Sequence, residues 1–286
     1  MPTAPSAAIL DAWHVFSAAA EIGPGPYRST LLLDTRLDYR RGADGAVEVR
    51  RRDTGALLPV IERYGFAWTS LGTPPDDLFP IPEFYEPDRK NMSCGSIGVN
   101  VSAPRAIENF LDMGHFPYVH TGILGEEPHT EVKEYDVEIS YERDEILATR
   151  CRFYQPRAAL SADEGQDVEY IYRVPHPYCS VLYKSCPADE SRLDVIAIFC
   201  QPMSEDTIRA HLLQSMIDEE NTLTGMRRFQ QTIFGQDKPI LENQYPKRLP
   251  LDPRAETPIR ADKSAIAYRR WLSQKGVNYG VIPQAA

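Results

Sequence analysis

The sequence predicts an α+β fold: an antiparallel sheet followed by C-terminal helices, with a small β domain in front. Three observations predict it. Residues 130–217 hold six or so strand-like segments with turn signals between them. Residues 223–234 switch to a helical period, with Met226, Phe229, Gln230 and Ile233 on one face. Pro74, Pro75, Pro80 and Pro82 interrupt regular structure ahead of both. A domain boundary placed there divides the chain into residues 1–75 and 76–286.

Taken in order, residues 1–12 read as a loose tail, and residues 13–20 open the ordered part. Strands are expected at 29–33, 37–39 and 47–49, with Gly42-Ala43-Asp44-Gly45 as a hairpin turn. Another follows at 65–71. A helix is expected from about residue 106. The sheet then runs through Val132, Val137 and Ile139, and through 146–149, 170–174, 180–184, 194–199 and 211–217. Gly235 is expected to interrupt the helix that begins at 223. A second helix resumes at 238–244, with Pro239 in its first turn, where a missing N–H is tolerated. A short helix is expected at 265–274. No internal repeat or low-complexity segment is present.

Composition excludes several classes of function. The 286 residues are 42% hydrophobic and 25% charged, ordinary for one or two globular domains. A formal net charge of −10 argues against nucleic acid as a partner. No apolar run approaches the roughly 20 residues that span a bilayer, so no membrane partner is expected. No basic stretch followed by an apolar one marks a secretory leader, and a cytoplasmic location is expected. Cys94, Cys151, Cys179, Cys186 and Cys200 form an odd set without any C-x-x-C pair, consistent with reduced thiols.

Residues 108–120 carry the chemistry. They set Asp112, His115 and His120 within nine residues. Two imidazoles and one carboxylate form a facial triad with open positions, a donor set suited to non-haem Fe(II). On an undistorted helix the two histidines would lie roughly 140° apart. Pro117 lies between them and is expected to end or kink the helix, letting His120 swing back toward His115. Asp112, three residues before His115, shares its helical face.

The pattern Glu108-Asn109-Phe110-Leu111-Asp112-x2-His115-x4-His120 closely resembles the iron-site signature of the Rieske non-haem iron oxygenases. The resemblance extends to Trp13-His14, to residues 62–72 and to residues 234–244. It implies a helix-grip, START-like catalytic domain and a mononuclear Fe(II) bound by His115, His120 and Asp237. Asp237 could alternatively serve only as the N-cap of the following helix. Asp112, with Asn109 as a frequent companion, is the implied catalytic group beside the metal, bridging a ligand histidine to the electron donor. Residues 81–89, 237–244 and 258–262 are similar to the cluster-less oxygenase component of bacterial methylxanthine N-demethylases. That similarity implies hydroxylation of an N-methyl group, as on 7-methylxanthine, with loss of formaldehyde.

One part of the family pattern is missing. Family members hold a [2Fe–2S] cluster through C-x-H and C-x2-H pairs in an N-terminal domain. This sequence has neither pair, and no cysteine before Cys94. The front domain is therefore expected to be a reduced β domain without its own cluster. The resemblance then implies a partner that brings the electrons: a Rieske-containing reductase carrying NAD(P)H, flavin and [2Fe–2S] chemistry, or a complete Rieske oxygenase subunit. A trimeric or hetero-oligomeric assembly is implied as well. The alternative is a non-catalytic subunit that stabilises such a complex. A metallohydrolase is disfavoured by the lack of H-E-x-x-H. Tyr170, Tyr172, Tyr183, Phe199 and Gln214 suit a cavity lining for a small aromatic, N-methylated substrate, but fit core positions equally well. His14, His129, His176 and His211 are read as structural.

Overall fold

The computed structural model describes residues 4–160 and 164–284. The chain opens with a one-turn helix, α1 (Ala7–Leu10), and strand β1 (His14–Ala18). Strands β2 (Arg28–Leu32), β3 (Thr35–Arg41) and β4 (Val47–Arg51) form one antiparallel sheet. Strands β5 (Val60–Arg63) and β6 (Phe66–Thr69) pair with β1 in a second sheet, in the order β1-β6-β5. The expected loose tail is a correction: Ile9 is fully buried, and Ser6 N–H donates to Asn278 Oδ1 at 2.7 Å. The buried Ile9 and several long-range hydrogen bonds order that segment, among them Asn278 Nδ2 to Ala4 O at 2.9 Å and Ser70 Oγ to Leu10 O at 2.8 Å.

The main sheet contains β7 (Lys90–Val99), β8 (Asp136–Ser140), β9 (Glu145–Gln155), β10 (Gln166–His176), β11 (Cys179–Ser185), β12 (Leu193–Ser204) and β13 (Thr207–Met216). Its order is β7-β13-β12-β11-β10-β9-β8, antiparallel throughout. The strands expected between 130 and 217 form a meander, because each hairpin joins neighbours in sequence. Strand β7 was not expected. Its Ser, Gly and Asn content hides the alternation, and the helix above it bears on one of these positions, Gly95. A Cβ on Gly95, whose φ is +110°, would come within 2.9 Å of Gln231 Nε2. That same amide donates to Cys94 O at 2.7 Å.

The two faces of the sheet are distinct. Val181, Val195, Ala197, Phe199 and Leu213 pack against Trp13, Phe66 and Trp68 of the front strands. The cross-strand row Tyr172–Leu182–Ile196–Gln214 faces the helices. Those helices are α2 (Ala103–Leu111), α3 (Phe116–Val119), α4 (Leu223–Asn243) and α5 (Lys263–Gln274). Helix α2 starts three residues before the expected position, capped by Ser102 and with Pro104 in its first turn.

Two expectations about helix breaks are corrected. Helix α4 runs unbroken through Gly235, with Pro239 in its interior. A proline there forfeits the hydrogen bond to the carbonyl of residue 235 and crowds it. Asp237 is therefore inside a helix and caps nothing. Pro117 does not end the helix before His115. Helix α2 already stops at Leu111, Asp112 is extended, and Pro117 sits in the first turn of α3.

A buried ion cluster ties α2 to α5. Arg105 donates to Glu108 at 3.1 Å and to Glu256 at 2.5 Å; Arg269 donates to Glu108 at 2.6 Å and also to Glu256. Burial raises the Glu108 pKa, opposed by the two guanidinium groups. Removing one partner of such a set leaves uncompensated buried charge. Arg269→Ala is expected to lower unfolding free energy by about 3–5 kcal/mol, measured by urea denaturation.

Candidate metal centre

The segment after α2 folds so that two imidazoles meet. Asp112 closes α2, Gly114 follows, and the single turn of α3 is flanked by His115 at its start and His120 at its end. The turn carries His120 back beneath His115, and their Nε2 atoms lie 3.2 Å apart. Asp237, near the middle of α4, supplies Oδ1 at 3.3 Å from His115 Nε2 and 3.1 Å from His120 Nε2. One donor atom from each of the three residues lies within 4.8 Å of the others. His120 is fully buried, and Asp237 nearly so.

The outer ring nitrogens determine which atoms face inward. His115 Nδ1 donates to Asp112 Oδ2 at 3.1 Å, and Asp112 Oδ1 accepts Gly114 N–H at 2.7 Å. His120 Nδ1 donates to Gln236 Oε1 at 2.9 Å. With each Nδ1 donating outward, both rings turn Nε2 toward Asp237. Asp237 Oδ1 itself is buried without an aligned hydrogen bond among the described residues. Three converging acceptors repel one another unless a proton or a metal cation joins them. The donor set thus fits a divalent metal, and two nitrogens and one carboxylate oxygen leave coordination positions free, as iron(II) uses them.

The electrostatics agree. Burial disfavours charge on His115, but Asp112 and Asp237 outweigh it and push its pKa up to about 9. Burial also disfavours charge on Asp237, yet the adjacent His115 and His120 hold its carboxyl below the ordinary range. The centre attracts positive charge, as a proton or as a metal.

The centre sits in a wall between two hollows. On the inner side, a cavity of about 900 Å³ including its mouth is lined by Phe116, Leu182, Ile196, Leu212, Gln214 and Phe234, among others. On the outer side lies a groove bordered by Asp112, Ile240, Gln244 and Pro258. His115 and Asn109 border both hollows. All five residues singled out in the sequence, Asn109, Asp112, His115, His120 and Asp237, thus lie at this wall. Tyr170, Tyr172 and Gln214 line the cavity, whereas Phe199 and Tyr183 pack on the opposite face of the sheet. Gln236 was missed; its only sequence signal was its place beside Asp237.

The remaining histidines lie elsewhere. Burial lowers the pKa of His14 to about 4 and that of His211 to about 3, and His176 falls well below its ordinary value for the same reason. His129 stacks on Tyr154.

Comparison with known proteins places this geometry in a lineage. Residues 99–276 match the family model described as the vanillate O-demethylase oxygenase C-terminal domain. The chain is 48% identical to the probable methylxanthine N7-demethylase NdmC of Pseudomonas sp. (strain TJI-51), over 95% of this chain and 96% of that protein. It is 26% identical to the methylxanthine N1-demethylase NdmA of Pseudomonas putida, over 74% of this chain but 59% of that protein. The solved structure of NdmA from Pseudomonas putida CBB5 superposes with a TM-score of 0.74 at 19% identity, covering 94% of this chain and 91% of that one.

Two outcomes are expected. Gln236→Leu removes the acceptor that orients His120 and is expected to weaken iron binding about 10–100-fold in a metal titration, whereas His120→Ala should abolish it. Below pH 9, binding must expel the His115 proton. Apparent iron affinity should therefore rise about tenfold per pH unit from pH 7 and level off near 9, as read by competition with a chelator.

Proposed function

The chain belongs to the Rieske oxygenase family, through the vanillate O-demethylase oxygenase C-terminal domain, and from that premise we propose that it is the oxygenase component of an N-demethylase acting on a methylxanthine such as 7-methylxanthine. The net reaction consumes O2, two electrons and two protons. It converts the N-methyl group to an N-hydroxymethyl group and water, and the hydroxymethyl product then breaks into N–H and formaldehyde. The observation that carries this reading is the triad of His115, His120 and Asp237, opening onto a cavity walled by apolar and aromatic side chains.

Iron(II) held by these three residues would supply the oxygen activation. The chain's own contributions can be read directly. Asp112 and Gln236 hold the two imidazoles in the tautomer that faces inward. Phe116, Ile196, Leu212 and Phe234 make a dry, flat-sided pocket suited to a planar heterocycle and exclude bulk water from the reacting methyl group. In this reading, residues 1–75 form a cluster-less brace behind the sheet and residues 76–286 carry the catalysis.

Electrons come from outside the chain in this proposal, because the sequence has no C-x-H or C-x2-H pair for a cluster. The donor is a Rieske-containing reductase or oxygenase subunit, in a trimeric or hetero-oligomeric assembly, with NAD(P)H and flavin on the partner's side. Asp112 supports this, since its carboxylate joins the outer groove to His115. Ile240 at the groove is half exposed, and Tyr245 and Ile259 nearby are largely exposed, offering apolar contact. Among the described residues no helix is long and apolar enough to cross a membrane, and all five cysteines are free and buried, which supports a reducing cytoplasm.

The test is formaldehyde release from 7-methylxanthine by the iron-loaded chain with NAD(P)H and a Rieske reductase. Turnover is expected only with the reductase present. Asp112→Asn should keep its iron while the rate drops about 10–100-fold. A purely structural subunit would release no formaldehyde under any of these conditions.

A further inference from the structure

On the reading of the cavity as the substrate site, we propose that Lys184 determines specificity there: its ammonium donates a hydrogen bond to an oxo group of a planar N-heterocycle whose N-methyl group faces the triad. Lys184 stands on β11 and is 4% exposed. It lines the cavity beside Leu182, between Tyr170 and the buried Asp194 of the neighbouring strands. Packing alone does not require a charge there, since a methionine has similar length and no desolvation cost.

An ammonium carries three donors. Among the described residues, the Lys184 hydrogen bond goes to Ala158 O. Its strand partner Asp194 accepts Ile217 N–H on Oδ1 at 3.0 Å and favours the Lys184 charge without forming an ion pair with it. No carboxylate of the described residues forms an ion pair with Lys184. Burial pulls its pKa down to about 8, opposed by Asp194, so the ammonium is still the main form at neutral pH. On the same wall, Gln214 Nε2 donates to Gln230 Oε1 at 3.1 Å, and Gln214 Oε1 accepts from Cys94 Sγ at 3.3 Å. Lys184 thus offers buried donors to whatever fills the cavity, and a buried charge left short of acceptors is costly.

Its position relative to the triad also fits. Lys184 Nζ is 5.8 Å from the centre of the Tyr170 ring, Tyr170 is 6.3 Å from Phe116, and Phe116 is 6.0 Å from His120. A continuous aromatic wall therefore connects the ammonium to the metal ligands. Lys184 and the three triad residues border the same cavity.

The experiment compares equilibrium binding of 7-methylxanthine and of 7-methylpurine, which lacks both oxo groups, to the iron-loaded full chain without reductant. The unaltered chain is expected to prefer 7-methylxanthine. Lys184→Met is expected to weaken 7-methylxanthine about 10–100-fold, as for loss of a charged hydrogen bond, and 7-methylpurine less than about twofold. Equal weakening of both ligands, or of neither, overturns the proposal. Lys184→Gln, which keeps a donor, is expected to retain part of the preference. Should neither variant fold, the unaltered chain still decides, because equal affinity for the two ligands overturns the assignment. Formaldehyde release with an affinity pattern indifferent to residue 184 refutes the lysine assignment alone. The expected affinity pattern without formaldehyde release supports the lysine and contradicts the demethylase reading.

Discussion

A carboxylate oxygen buried between two imidazoles is the constraint on which the site depends. Asp237 Oδ1 lies within 3.3 Å of both Nε2 atoms and has no aligned hydrogen bond among the described residues. Burying such an oxygen is unfavourable unless a cation or proton joins it. Several parts of the fold serve that meeting. Helix α4 must run through Gly235 and Pro239 to present Asp237. The Arg105–Glu108–Glu256–Arg269 cluster fixes the end of α2, from which Asp112 and His115 depart. The front strands cover the far face of the sheet and leave the near face free to form a cavity.

The centre also separates two environments. The inner cavity is mainly apolar and suits a flat organic molecule. The outer groove is bordered by Asp112, Glu108, Glu256 and Asp262 and opens to solvent. His115 spans the wall, with Nδ1 turned to Asp112 and Nε2 turned inward. In the proposed function, substrate and electrons take separate approaches to one set of ligands. The proposed lysine extends this division: the triad handles the methyl group, while a charge elsewhere on the wall selects which heterocycle brings it.

Much of this was legible in the sequence, for identifiable reasons. The meander of strands β8 to β13 was readable because each strand buries one or both faces in apolar side chains. The histidine pair was readable from spacing, and Asp237 from resemblance. Pro117 was given the wrong role: it starts a turn, whereas the preceding helix had already ended at Leu111. Strand β7 escaped notice because its serines, glycines and asparagine erase the usual alternation. Gln236 and Lys184 carry no local signature at all. A glutamine before an aspartate and a lysine in a strand become meaningful only when tertiary packing buries them beside the imidazole and the cavity.

The most direct test of the central claim is iron anomalous scattering from crystals of the purified, iron-loaded chain. One peak per chain, in contact with His115 Nε2, His120 Nε2 and a carboxylate oxygen of Asp237 and adjoining the apolar cavity, is the predicted result. A peak elsewhere, or none between these three residues in protein that contains stoichiometric iron, would contradict it.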